Sequence, residues 1–89
     1  MAAATLTIIN RLGLHARAAG KLVNLAKSFS SEITVSRGSD EVDGKSIMKV
    51  MLLAAPVDTE ISLKVTGEDE NEALDALVAL INDRFGEED

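Results

Sequence analysis

Thr59-Glu60-Ile61-Ser62-Leu63-Lys64-Val65-Thr66 alternates polar and apolar side chains over eight residues. Successive side chains on a strand point to opposite faces, so this pattern sets one face of a sheet against a core and leaves the other in water. Ser31-Glu32-Ile33-Thr34-Val35-Ser36-Arg37 alternates as strictly, and Gly38-Ser39 supplies a turn before Asp40-Glu41-Val42-Asp43, which predicts a hairpin. Thr5-Leu6-Thr7-Ile8-Ile9-Asn10 adds a β-branched strand with Leu6 and Ile8 inward. Strands with one wet face belong in an antiparallel sheet carrying its helices on a single side, whereas a parallel sheet is covered on both.

The intervening stretches change period. From Ala16 to Ser28, Ala19, Leu22, Val23 and Ala26, followed by Phe29, recur at helical spacing, with Lys21, Asn24 and Lys27 on the opposite side. A last helix is predicted to open with Asp69 and Glu72 at capping-box spacing, to carry Leu74, Leu77, Val78, Ile81 and Phe85 inward, and to stop at Gly86. Glu68, Asp69, Glu70 and Glu72 suit the positive end of its dipole. The tail Glu87-Glu88-Asp89 is expected to fray. Between hairpin and long strand, Gly44 to Pro56 contains a short helix with Ser46 as N-cap and Pro56 as its stop. Only Lys49 is charged between those two, and a small two-layer domain cannot bury every side of so apolar a helix. Some of Ile47, Met48 and Met51 should therefore be exposed, and adaptable methionines there point to a surface that binds more than one partner. The competing reading is a helix wholly in the core or covered by a dimer mate.

Residues 1–89 are enough for a single domain with one core, and 46% apolar with 27% charged residues is ordinary for a globule. Absence of Cys removes disulfides and thiol chemistry, and one His argues against a conventional zinc site, so neither metal nor cofactor is expected. No secretory signal or spanning stretch is apparent, and a cytoplasmic protein is the expectation. The net charge of -6 conceals a gradient: residues 1–31 carry +4, residues 32–57 carry -1 and residues 58–89 carry -9. An acidic protein repels nucleic acid, while the basic N-terminal third suits an acidic protein partner.

The chemistry-bearing stretch is Gly13-Leu14-His15-Ala16-Arg17-Ala18-Ala19-Gly20. His15 is the only histidine, the side-chain type whose unperturbed pKa lies near neutrality and which is also a competent nucleophile. It falls near a helix N-cap, where the first backbone N–H groups have no intrahelical partner. Arg17 lies at the wrong end of the helix to answer its dipole, so it calls for another explanation. A guanidinium beside unpaired N–H groups makes an anion site of phosphate size, next to a side chain that could carry the phosphate covalently. On these residues alone, a surface histidine or local cap remains the commoner meaning.

The order strand, helix, strand, strand, short helix, strand, long helix resembles the HPr family, the histidine-containing phosphocarriers of the bacterial phosphoenolpyruvate phosphotransferase system. Gly13-Leu14-His15-Ala16-Arg17 is similar to that family's active-site motif, and Lys45-Ser46-Ile47-Met48-Lys49-Val50-Met51 to its regulatory-serine segment. The resemblance implies an α+β fold: an open-faced β-sandwich of four antiparallel strands covered on one face by three helices (βαββαβα). It further implies that His15 accepts phosphate on Nδ1 from Enzyme I and passes it to IIA-type domains, that Arg17 assists, and that Ser46 is the target of an ATP-dependent HPr kinase/phosphorylase. Ala18 departs from the proline common after that arginine, which would have stiffened the first turn. The expected docking face joins His15, Arg17, Lys21, Lys27, Lys45 and Lys49 around Ile47, Met48 and Met51. Such a protein is a carrier and not an independent enzyme, and a monomer is expected. The alternatives are a carrier of the related nitrogen-regulatory branch (NPr-type), a non-catalytic regulatory binding module whose His15 is only a ligand contact, and a catalytic domain with His15 as general base. Against the last, no second titratable group is placed by the sequence to orient the ring.

Overall fold

The alternation of the long strand becomes the register of the sheet. In a computed structural model describing residues 1–88, the elements are β1 (Ala2–Thr7), α1 (Ala16–Lys27), β2 (Glu32–Arg37), β3 (Asp40–Asp43), α2 (Ile47–Leu52), β4 (Glu60–Thr66) and α3 (Glu70–Asn82), followed by a 3₁₀ turn over Arg84–Gly86. The strands form one sheet in the order β1-β4-β2-β3, every pair antiparallel. Leu63 on β4 stands between Ala4 and Val35, and Val65 between Ala2 and Ile33, so apolar rows cross the sheet on the helix side. On the other face Ser62 stands between Thr5 and Ser36, and the Thr5 and Ser62 hydroxyls lie 3.2 Å apart. A register slip of one residue would exchange those faces, which is why the burial of one face fixes the pairing.

α1 and α3 cover the apolar face. α1 buries Ala18, Ala19, Leu22, Val23 and Ala26, and α3 buries Ala73, Leu77 and Ile81. With Ile61, Leu63 and Val65 they form the core, in which each fully buried Leu or Ile contributes roughly 1.5–3 kcal/mol. The result is the open-faced α+β sandwich expected. Among the described residues no helix is long and apolar enough to cross a membrane.

Several local expectations need correction. β1 spans Ala2–Thr7 and not Thr5–Asn10, because six residues of pairing with β4 outweigh alanine's weak strand preference. Leu6 and Ile8 still face inward. α2 ends at Leu52, before Pro56 can act, because Ala54 turns left-handed at φ 48°. α3 stops at Asn82 and not at Gly86. Arg84 and Phe85 both take φ 55°, and this reversal, not continued helix, drives the Phe85 ring fully into the core.

The capping box also fails at Asp69, which occupies the N-cap position without capping its own helix. Its carboxylate accepts instead from the Ser30 N–H (2.9 Å), the Ser31 N–H (3.0 Å) and the Ser31 hydroxyl, tying the start of α3 to the turn before β2. The Ser31 hydroxyl chiefly, then the Ser30 amide, lower the Asp69 pKa from 3.8 to about 2.

Candidate functional site

Gly13 shapes the loop that delivers His15. It adopts φ 69°, and a Cβ there would lie 2.7 Å from the Ala55 carbonyl oxygen and 2.9 Å from Pro56 Cα, so both the turn and the close approach require glycine. The Leu14 N–H donates to that Ala55 oxygen at 2.8 Å, and the Leu14 side chain enters the core. The loop is thereby fixed against the segment that leads into β4. His15 follows at the N-cap of α1 in extended backbone (φ -80°, ψ -179°), its carbonyl accepting from Ala19 N–H at 2.8 Å. The first-turn N–H groups beyond it have no helical acceptor, and no acidic residue occupies that turn. Arg17 is exposed in the same turn and has no partner among the described residues.

The His15 ring is held from a direction the sequence did not disclose. Its Nε2 is hydrogen-bonded to Glu87 Oε2, while Glu87 Oε1 accepts from Asn10 Nδ2 at 2.8 Å. The same Asn10 amide also donates to the Gly13 carbonyl at 2.7 Å. Asn10 is fully buried, and its Oδ1 has no partner among the described residues. Glu87 reaches this place because Lys21 Nζ donates to the Phe85 carbonyl at 2.6 Å and the Glu87 N–H to that of Arg84 at 2.9 Å, folding the chain back over α1. Hence Glu87 is not frayed; Asp89 lies outside the described residues. The Asn10 hydrogen bond chiefly holds the Glu87 carboxyl below its usual range, against the opposing effect of burial, and His15 and Lys21 lower it further. The other ring nitrogen, Nδ1, has no protein partner among the described residues. An open groove of ≈ 230 Å³ runs alongside, lined by Arg11, Leu12, Arg17, Glu87 and Glu88.

The second singled-out stretch lies beside the first helix. A Cβ on Gly20 of α1 would stand 3.9 Å from Ile47 Cδ1, which marks the approach of α2. Ser46 is the α2 N-cap in position, but its side chain makes no cap hydrogen bond. Ile47, Met48 and Met51 are 37%, 74% and 43% exposed, as the excess of apolar residues required, and Leu52, not foreseen, is 80% exposed. Val50 alone of this helix is buried. Of the lysines expected on the docking face, Lys21, Lys27 and Lys49 are exposed and Lys45 is half-buried, while Lys21 Nζ is held by the Phe85 carbonyl and Lys45 Nζ donates to the Phe29 carbonyl at 2.8 Å. Those two therefore also act as tethers within the fold.

Asn10 and Glu87 are the residues that sequence reading missed. Asn10 reads in the sequence as the polar last residue of the first strand, while Glu87 is separated from His15 by 72 positions inside an acidic tail expected to fray. The nearest signal in the sequence is Phe85-Gly86, an apolar residue before a helix-stopping glycine, which marks an end to the helix but not the direction the tail then takes.

A family profile described as "PTS HPr component phosphorylation site" matches residues 2–83. The chain is 57% identical over 81 residues to phosphocarrier protein HPr of Cupriavidus necator, covering 91% of each protein. With HPr of Pseudomonas aeruginosa it shares 54% over 88 residues, covering 98% of each. A phosphocarrier protein NPr, from Shewanella violacea, is more distant at 42% over 81 residues, with 91% of this chain and 89% of NPr covered. Among solved structures, HPr-C-His from Thermoanaerobacter tengcongensis superposes with a TM-score of 0.95 at 44% identity, covering 99% of each chain. An HPr dimer from the same organism gives 0.79 at 44% identity, covering 98% of this chain and all of the other. This chain belongs to the HPr family and is a phosphocarrier of the phosphotransferase system.

Proposed function

We propose that the phosphoryl group is carried on His15 Nδ1, received from Enzyme I and passed to IIA-type domains of the sugar branch, in the cytoplasm. The observation that carries this reading is the division of labour on the imidazole. Glu87 occupies Nε2, and Nδ1 has no protein partner among the described residues, at a helix N-terminus whose first turn carries Arg17. In the transfer, the Nδ1 lone pair forms a bond to phosphorus as the donor's bond to that phosphorus breaks and its electron pair returns to the donor. The reverse polarity applies at the acceptor, whose nucleophile takes the phosphoryl group and returns the N–P electrons to the ring. Loose phosphoryl-transfer transition states gain from positioning and from charge stabilisation, which Arg17 and the first-turn N–H groups supply once a partner covers the site. The protein thus works as a carrier and not as an independent enzyme, and the site is complete within one chain. The greater likeness to HPr than to NPr supports the sugar branch over the nitrogen branch.

Ser46 is the regulatory phosphorylation site in this reading, acted on by an HPr kinase/phosphorylase. Its hydroxyl is unengaged at the head of α2, next to the exposed Met48 and between Lys45 and Lys49. Added phosphate there brings about -1.5 to -2 charges to a face that otherwise offers lysines to an acidic partner. The docking face combines Lys27 and Lys49, with the stems of Lys21 and Lys45, around Ile47, Met48 and Met51.

The deciding experiment is labelled phosphotransfer from phosphoenolpyruvate through Enzyme I. Acid-labile label on the parent and none on His15→Ala is the expected result. Label retained by a folded His15→Ala chain would overturn the assignment.

A further inference from the structure

The tail glutamate that meets His15 also has cationic company. Arg11 and Arg17 line the same groove and Lys21 lies close enough to lower its pKa, yet both Glu87 oxygens go elsewhere, one to a fully buried amide and the other to the His15 ring. Asn10 in turn spends both amide hydrogens on fixing this arrangement, one on Glu87 and one on the Gly13 carbonyl of the loop that presents the histidine. A neutral imidazole holds one proton, and a carboxylate at Nε2 requires that the proton be there. We propose that Glu87, seated by Asn10, is a positioning residue for phosphoryl transfer: it keeps the proton of His15 on Nε2, so that Nδ1 presents its lone pair, and it balances the charge the ring acquires when the N–P bond forms.

This rests on His15 as acceptor. The charge balance is explicit. As the Nδ1 lone pair bonds to phosphorus, the ring, still protonated on Nε2, takes on a positive charge, and the facing carboxylate stabilises that state relative to the neutral reactant. When the phosphoryl group leaves, the electron pair returns to Nδ1 and the ring is again neutral, its proton still directed at Glu87. No proton has to enter or leave the site in either direction. The carboxylate meets the nitrogen that does not react, so it need not stand between Nδ1 and an approaching donor.

Three variants with two readouts test it. The ¹⁵N resonances of the imidazole, at a pH where the ring is neutral, report the tautomer, and a single-turnover assay with the phosphoenolpyruvate-charged donor reports the rate. The parent should show the Nε2–H form. Glu87→Ala should show a mixture of tautomers and accept phosphate about tenfold more slowly, with unchanged affinity for the donor and a far-ultraviolet spectrum like that of the parent. Glu87→Gln still offers an acceptor oxygen but no charge, so it should retain the Nε2–H form and recover only part of the rate. A parental tautomer and rate in Glu87→Ala would overturn the proposal while leaving His15 as acceptor. A faster Glu87→Ala would overturn it too, and would show that the carboxylate obstructs the ring. Phosphate acceptance by His15→Ala would remove both readings together.

Discussion

His15 and Ser46 both occupy helix N-caps in extended backbone, and neither side chain caps its own helix. Their supports differ. His15 heads a twelve-residue helix with five buried side chains, and its ring is gripped by a carboxylate that a buried amide holds in turn. Ser46 heads a six-residue helix with one buried side chain, and Met48 and Leu52 stand 74% and 80% exposed beside it. Group transfer needs a reacting atom fixed to a fraction of an ångström, and the first helix start has the scaffold for that. Recognition of several partners needs apolar area that can repack, and the second has it. In the proposed reading the same backbone device serves two tasks, and what each start is anchored to separates them.

The largest effect expected is at the first start. His15→Ala should remove phosphate acceptance altogether while leaving thermal unfolding nearly unchanged, because the ring is outside the core; mass spectrometry and calorimetry read the two. Gly13→Ala should follow, costing about 2 kcal/mol or more, because alanine is strained at φ 69° and its Cβ would strike the Ala55 carbonyl. A Tm within a degree or so of the parent would break the account of how the histidine is delivered. At the second start, Met48→Asp should weaken donor binding by roughly tenfold or more in titration calorimetry, since a charge would have to be desolvated at the centre of the proposed face, with Tm unchanged. Ser46→Ala should do least, lowering stability by less than the about 1 kcal/mol of an ordinary cap, because no cap bond exists to lose. Ser46→Asp should slow His15 phosphorylation at low salt and less at high salt. An equal rate at low salt would end the regulatory reading.

The head of α3 supplies a control of a third kind, in which a side chain at an N-cap is committed to tertiary structure. Asp69 has its pKa lowered to about 2 by Ser31 and Ser30, so its stabilisation is complete above the ordinary value of 3.8 and is lost as pH falls toward the lowered one. The Tm gap between parent and Asp69→Asn should accordingly be widest above about pH 5 and close by about pH 2. A gap that persists at the acid end would show that geometry, not charge, holds this junction.

What could be read from the sequence followed from period. Alternation in β2 and β4 gave the sheet and its wet face, the helical recurrence in α1 and α3 gave the cover, and the surplus of apolar side chains in α2 gave the exposed patch. The motif around His15 carried the likeness to the family that the chain belongs to. Contacts between distant segments left no periodic trace. Asp69 satisfies every local rule for a cap and serves Ser30 and Ser31 instead, because two backbone donors and a hydroxyl outcompete its own helix. Glu87 belongs to the site only because two consecutive residues turn left-handed at Arg84 and Phe85, a conformation neither residue type announces.

The sheet order carries a consequence for synthesis. β1 pairs only with β4, so within this sheet the strand synthesised before the other three must wait for its partner until residue 66 has emerged. Pairing over such separations slows folding and leaves an early strand open to wrong associations in the meantime. Half of that waiting strand is Ala2-Ala3-Ala4, which offers little apolar surface and little strand preference until β4 aligns it. The segment that must wait longest is thus also among the least adhesive, and the nascent chain can postpone closing its sheet without a sticky edge exposed.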